Sequence, residues 1–217
     1  MMMLAMPMTG MAEGLLPALG GTYQELFPAI CAPEYDAIWI EACAKMVREE
    51  AAEAAAAMLK TVCMGELYRP DAVATFAANP EAMQFSCSFI NGVVLFTFDG
   101  NTISGTDEAG ETVFSHEYSY VGNDDRLGLE MAVYQSADAD SGEFNHFLLV
   151  PDIPAETYHI EFRYGDNLDE LNQRMTGKCA YWLGAGIPAE NTEDYAAKAI
   201  ALFCEENLAD GEGEEAA

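Results

Sequence analysis

QFSCSFINGVVLFTFDG, residues 84–100, sets the fold class. Phe85, Cys87 and Phe89 alternate with Gln84, Ser86 and Ser88, the period-two pattern of a strand with one buried face. Asn91-Gly92 is the residue pair that most readily takes the two positive φ angles of a type I′ hairpin turn. Val93–Phe98 then runs back, and Asp99-Gly100 makes the next turn. The rhythm continues with strands expected near Asn101–Gly105, Thr112–Val121 and Gly128–Ser136, and with Glu108–Glu111 as a loop. Two more β-rich stretches, Phe144–Val150 and Thr157–Tyr164, flank a segment holding Pro151 and Pro154. About seven short strands in meander order leave exposed edges unless the sheet closes, so the expectation is a mainly-β fold, a small antiparallel barrel with flanking helices.

Outside the barrel the period is helical. Trp39, Cys43, Met46, Val47, Ala54, Met58 and Val62 recur at mostly three- and four-residue steps through an alanine-rich stretch, predicting one long N-terminal helix from Asp36 to about Met64. Pro70 and Pro80 bracket a short helix over Asp71–Ala78. Two C-terminal helices follow the barrel. One is capped by Asp166 and carries Leu168, Leu171 and Met175, and the last runs from about Thr192 to Asn207. Gly184-Ala-Gly186 reads as a turn. The predicted organisation is a flexible methionine-rich terminus (1–20), a helical part packing on the barrel (21–82), the barrel with its C-terminal helices (83–208) and a disordered acidic tail (209–217).

With 51% hydrophobic and 21% charged residues the body of the chain has globular composition, but nine Lys and Arg against 37 Asp and Glu give a net charge of −28. That charge repels phosphate backbones and anionic membrane surfaces, excluding nucleic acid as a partner, and it concentrates cations. No stretch reaches membrane-spanning length, so membrane insertion is not expected. The opening residues lack the basic region and apolar core of a secretory signal. This predicts a cytoplasmic protein as written, or a periplasmic or extracellular one if the N-terminus is incomplete. The cysteines at 31, 43, 63, 87, 179 and 204 form no CxxC pair. Their positions suit small buried residues and leave disulfide pairing open. Gly-x-Ser-x-Gly, phosphate-loop and dinucleotide signatures are absent, and the expectation is a binding protein rather than an enzyme.

The chemistry-bearing residues fall in the last two predicted strands. His159 and Glu161, two apart on one strand, share a face; if the turn is centred between Pro151 and Pro154, His146 lies opposite His159. Two imidazoles and a carboxylate would then fill three positions of a tetrahedral zinc site. The oxygen ligand would also admit harder divalent metals. The alternative reading makes His146 a barrel-lining residue, packs His159 between Tyr158 and Ile160, and pairs Glu161 with Arg163.

The segment Tyr158-His-Ile-Glu-Phe-Arg-Tyr-Gly-Asp166, the helix start at Leu168 and Ala180-Tyr-Trp182 before Pro188 resemble the end of the ZinT (YodA-type) zinc-binding domain. Ile90-Asn-Gly-Val-Val94, Glu117-Tyr-Ser-Tyr-Val-Gly122 and, more distantly, Gly21-Thr-Tyr-Gln-Glu-Leu-Phe-Pro28 are similar to it as well. The resemblance implies a calycin-like, lipocalin-like barrel that buffers or delivers zinc. It also implies metal ligands at His146 and on the strand where the family carries His-x-His. This chain departs from the family there, with Glu161 in place of the second histidine and a longer spacing from His146 to His159.

Three other readings stand beside this one. His116 shares a strand face with Tyr118 and Tyr120 and is either an extra ligand or a hydrogen-bonded barrel residue. Tyr118, Tyr120, Tyr134 and Phe144 could line the interior of a lipocalin-like barrel that holds a small apolar or aromatic ligand without metal, or could serve as core. The alanine-rich helix could dock a protein partner.

Overall fold

Eight antiparallel strands close into a barrel in simple meander order: β1 (Gly21–Glu25), β2 (Leu95–Asp99), β3 (Thr102–Thr106), β4 (Thr112–Asp124), β5 (Met131–Ser136), β6 (His146–Leu149), β7 (Ile160–Gly165) and β8 (Gly184–Pro188). The computed structural model describes residues 12–79, 86–125, 130–175 and 183–209. Six strands coincide with sequence-predicted ones. Closure depends on two that do not. β1 lies in the part expected to be helical, and β8 is the Gly184-Ala-Gly186 segment expected to be a turn. These two pair with each other, Tyr23 opposite Pro188 and Gln24 opposite Ile187, and so remove both sheet edges.

The interior is an aromatic core. Phe96, Phe98, Phe147 and Phe162 are at most 1% exposed, and Tyr118, Tyr134 and Tyr164 are at most 2% exposed. The Phe96 ring lies 4.9 Å from that of Phe162 and 5.1 Å from that of Tyr164. Residues 86–90, predicted as a strand, instead run irregularly beside β8, where the Ala185 N–H donates to the Cys87 carbonyl at 3.0 Å. The Asn91-Gly92 turn takes its expected positive φ angles of 59° and 77°, but its first arm drops Phe89 into the core, 4.9 Å from Phe96. The glycines of β8 are explained by this plug. A Cβ at Gly184 would stand 3.2 Å from Phe89, and one at Gly186 would stand 3.2 Å from both Tyr23 and Ile160. The half-buried Glu25 holds the plug, its Oε1 accepting the Phe89 N–H at 2.7 Å while Oε2 accepts the Tyr68 hydroxyl at 2.8 Å.

One mouth of the barrel is closed by α1 (Ala12–Ala18), which lies within the terminus expected to be flexible. Leu15, Leu16 and Leu19 are buried in the barrel core, and the Leu16 N–H donates to the Tyr134 hydroxyl at 3.1 Å. The methionine-rich residues 1–11 lie outside the described residues.

A second core forms where helices cover the outer face of β1, β7 and β8. It is built from α2 (Leu26–Ile30), α3 (Asp36–Ala44), α4 (Ala52–Val62) and the last helix, numbered α8 (Thr192–Leu208). The single long helix expected over 36–64 is in fact a pair, broken at residues 45–48, where Arg48 is extended (φ −63°, ψ 143°). The break lets Trp39 and Cys43 of α3 and Ala52, Ala56 and Leu59 of α4 bury into one core, which a straight rod could not do. A π-turn, Cys63–Leu67, follows α4. The remaining helices are α5 (Ala72–Ala78), the single turn α6 (Pro154–Thr157) and α7 (Leu168–Met175). α7 is capped by Asn167 rather than Asp166, its Oδ1 accepting the N–H groups of Asp169 and Glu170 at 2.9 and 3.2 Å. No helix among the described residues is long and apolar enough to cross a membrane.

Candidate metal centre

The β6–β7 register decides which predicted ligands can meet. His146 pairs with Gly165, Leu149 with Phe162, and the Val150 N–H donates to the Glu161 carbonyl at 3.0 Å. His159 is six residues along β7 from the partner of His146, a separation of roughly 20 Å at about 3.3 Å per residue. The expected His146, His159 and Glu161 set is therefore corrected: His146 stands at the far end of the hairpin. The connection is longer than a turn centred between the prolines. Pro154 opens the helical turn α6, and Tyr158 then takes a left-handed conformation (φ 67°) to return the chain to the sheet. His146 faces outward, its Nδ1 donating to the Asp166 carbonyl at 2.9 Å.

His159 and Glu161 do come together, on the outer face of β7. Their Nε2 and Oε1 atoms are 3.8 Å apart, an ion-pair distance rather than a hydrogen bond, and the side chains are 21% and 31% exposed. They line a cleft of about 200 Å³ beneath α8, together with Cys87, Leu67, Phe203 and Glu206. The His159 Nδ1 lies 2.8 Å from the Thr157 carbonyl. A carbonyl can only accept, so Nδ1 carries the proton and the neutral ring presents its Nε2 lone pair toward Glu161. Burial pulls the His159 pKa down, but Glu161, the Thr157 carbonyl and Asp152 outweigh it, and the net effect is a raised value. Burial and then Glu161 raise the carboxyl of Asp152 above the usual carboxylate range. His159 opposes that rise and Glu156 adds to it. Asp152 thus lies within electrostatic reach of the pair. Sequence reasoning missed it because it sits in the connection between the strands.

As they stand, these groups do not close around an ion. Among the described residues no group of three or more His, Cys, Asp or Glu side chains is in metal-holding geometry. His116 is not part of the cluster. It stacks on Phe114 at a centroid distance of 5.8 Å, and its Nδ1 lies 2.6 Å from Asp138 Oδ2. The aromatic residues proposed for a small ligand serve as core. Tyr118 and Tyr134 are each 1% exposed, Phe144 stacks on Phe114 at 3.9 Å, and Tyr120 packs edge-on against Tyr134.

No family model and no curated protein matches this chain. Its fold is similar to the crystal structure of the Zn(II)-bound ZinT-like domain of Streptococcus pneumoniae AdcA, with a TM-score of 0.51 at 16% identity, covering 86% of this chain and 90% of that domain. The crystal structure of Zn(II)-bound AdcA from Streptococcus pneumoniae matches with a TM-score of 0.49 at 15% identity, covering 88% of this chain and 35% of that one. This chain therefore spans about a third of AdcA's length. The likeness establishes a ZinT-like barrel fold.

Proposed function

We propose that this chain is a ZinT-type protein that binds a divalent cation, zinc foremost, and buffers or delivers it rather than catalysing a reaction on it. The ligands are His159 and Glu161, with Asp152 as the third group. The observation that carries the reading is the state of His159. Its Nδ1 is committed to the Thr157 carbonyl and its Nε2 is turned toward a carboxylate 3.8 Å away, the second-sphere arrangement that prepares a histidine to ligate metal. Two ligands each roughly 2.1 Å from a tetrahedral zinc stand about 3.4 Å apart, so the pair needs only a small side-chain adjustment to share an ion. The net charge of −28 favours cation capture, and the fold is that of a domain crystallised with Zn(II).

Elemental analysis of dialysed, tag-free protein tests the reading. Near-stoichiometric zinc in the wild type that disappears in His159→Ala/Glu161→Ala supports it. Absence of metal from both after zinc has been offered overturns it.

A further inference from the structure

Cys87 reaches the cleft of His159 and Glu161 from a different part of the chain. The Ala185 N–H of β8 donates to the Cys87 carbonyl at 3.0 Å, and on its other side Ala185 pairs with Glu161 of β7. Glu161, Ala185 and Cys87 therefore form a row across three neighbouring segments. At about 4.8 Å per segment the outer two have Cα atoms roughly 10 Å apart. Cys87 and Ala185 turn toward the helical core outside the barrel, whereas Phe89, two residues on from Cys87, turns inside. The middle member is an alanine, whose methyl group is shorter than either flanking side chain, and both flanking side chains line the cleft of about 200 Å³ beneath α8.

We propose that Cys87 is a further ligand of the cation held by His159 and Glu161, and that its sulfur makes the site select a thiophilic divalent cation such as zinc over a hard one such as manganese. The proposal rests on the metal-binding reading of that pair. Imidazole and carboxylate alone admit a wide range of divalent metals, and a thiolate narrows the choice toward the soft end. Among the described cysteines, Cys87 alone lines this cleft, and it is a free thiol.

The route to the sulfur lies past the other two ligands. The His159 and Glu161 side chains are 21% and 31% exposed and Cys87 is 8% exposed, so an ion arriving from solvent meets the imidazole and carboxylate first and the thiol last. A zinc–sulfur bond of about 2.3 Å and a zinc–oxygen bond of about 2.1 Å together bridge nearly half of the Cα separation in the row. The two side chains supply the rest once Glu161, now turned to His159 at 3.8 Å, rotates over Ala185. As the metal–sulfur bond forms, the thiol gives up its proton to solvent and binds as thiolate.

Cobalt(II) occupies zinc sites and reports sulfur ligation by a charge-transfer band in the near ultraviolet. The test is cobalt titration of the reduced full-length chain, beside Cys87→Ala, Cys87→Ser and His159→Ala, each with its fold checked by circular dichroism. The wild type is expected to bind cobalt with the band. Both Cys87 variants are expected to lose the band and to bind zinc more weakly, with manganese(II) affinity unchanged, and His159→Ala is expected to lose cobalt binding. Cobalt bound by the wild type without the band, or a band that persists in both Cys87 variants, would overturn the role of Cys87 while leaving His159 and Glu161 as ligands. Failure of the wild type to bind either cobalt or zinc, or a band that survives in His159→Ala, would overturn the metal-binding reading of the pair and the proposal with it.

Discussion

Replacing Phe89 with alanine removes the plug from the barrel core. The side chain is 5% exposed, its ring contacts Phe96 at 4.9 Å and Phe162 at 5.4 Å, and it lies directly over the two β8 glycines. Truncating a buried phenylalanine costs about 3–5 kcal/mol, and the closed barrel around this one gives little room for collapse. With a urea m-value near 3 kcal/mol/M for a chain of this size, the midpoint should fall by about 1–1.7 M in urea titrations followed by circular dichroism. Gly184→Ala sharpens the test. Its Cβ would lie 3.2 Å from the Phe89 ring, so the substitution crowds the wild type but fits the space vacated in Phe89→Ala. The two changes should therefore couple favourably by about 0.5–3 kcal/mol in a double-mutant cycle. A loss below about 1 kcal/mol for Phe89→Ala, with no coupling to position 184, would refute the placement of Phe89 inside the barrel.

Gly105→Ala would put a Cβ 2.5 Å from the Phe114 ring and 2.9 Å from Val93, and should cost about 1–3 kcal/mol by thermal or urea unfolding. Glu25→Leu would strand the buried Phe89 N–H and the Tyr68 hydroxyl and should cost a further about 1–3 kcal/mol, measurable in the same way. Burial raises the pKa of Glu25 against the hydrogen bonds from Tyr68 and Phe89, so its contribution to stability declines as pH rises from its ordinary carboxylate value through the raised one. Glu25→Gln should remove that slope. The raised pKa of His159 stabilises the fold fully below its ordinary value near 6.5, and that stabilisation is lost as pH rises through the raised value. The stability gap between wild type and His159→Gln should narrow across this window, while zinc affinity increases as the proton leaves Nε2.

The central strands were legible because each keeps one face in the core, so that Phe96 and Phe98, or Phe147 and Leu149, impose a period of two. The closing strands carried no such signal. β8 turns glycines inward because Phe89 occupies the space a side chain would need, and nothing near Gly184 in sequence announces a phenylalanine from 95 residues upstream. The helix break at 45–48 has no glycine or proline; the shared burial of Trp39 and Leu59 imposes it. At the candidate site, the strand pair His159 and Glu161 could be read from spacing alone. The place of His146 could not, because register depends on the conformation of the connection, and the helical turn begun by Pro154 moved the pairing six residues from the symmetric alignment.

Calorimetric titration of zinc into the wild type, His146→Ala and His159→Ala tests the central claim most directly, because the two histidines separate the expected linear pattern from the folded arrangement. The account predicts wild-type binding in His146→Ala and loss of binding in His159→Ala. Binding that survives in His159→Ala, or that is lost in His146→Ala while its fold is intact, would contradict it.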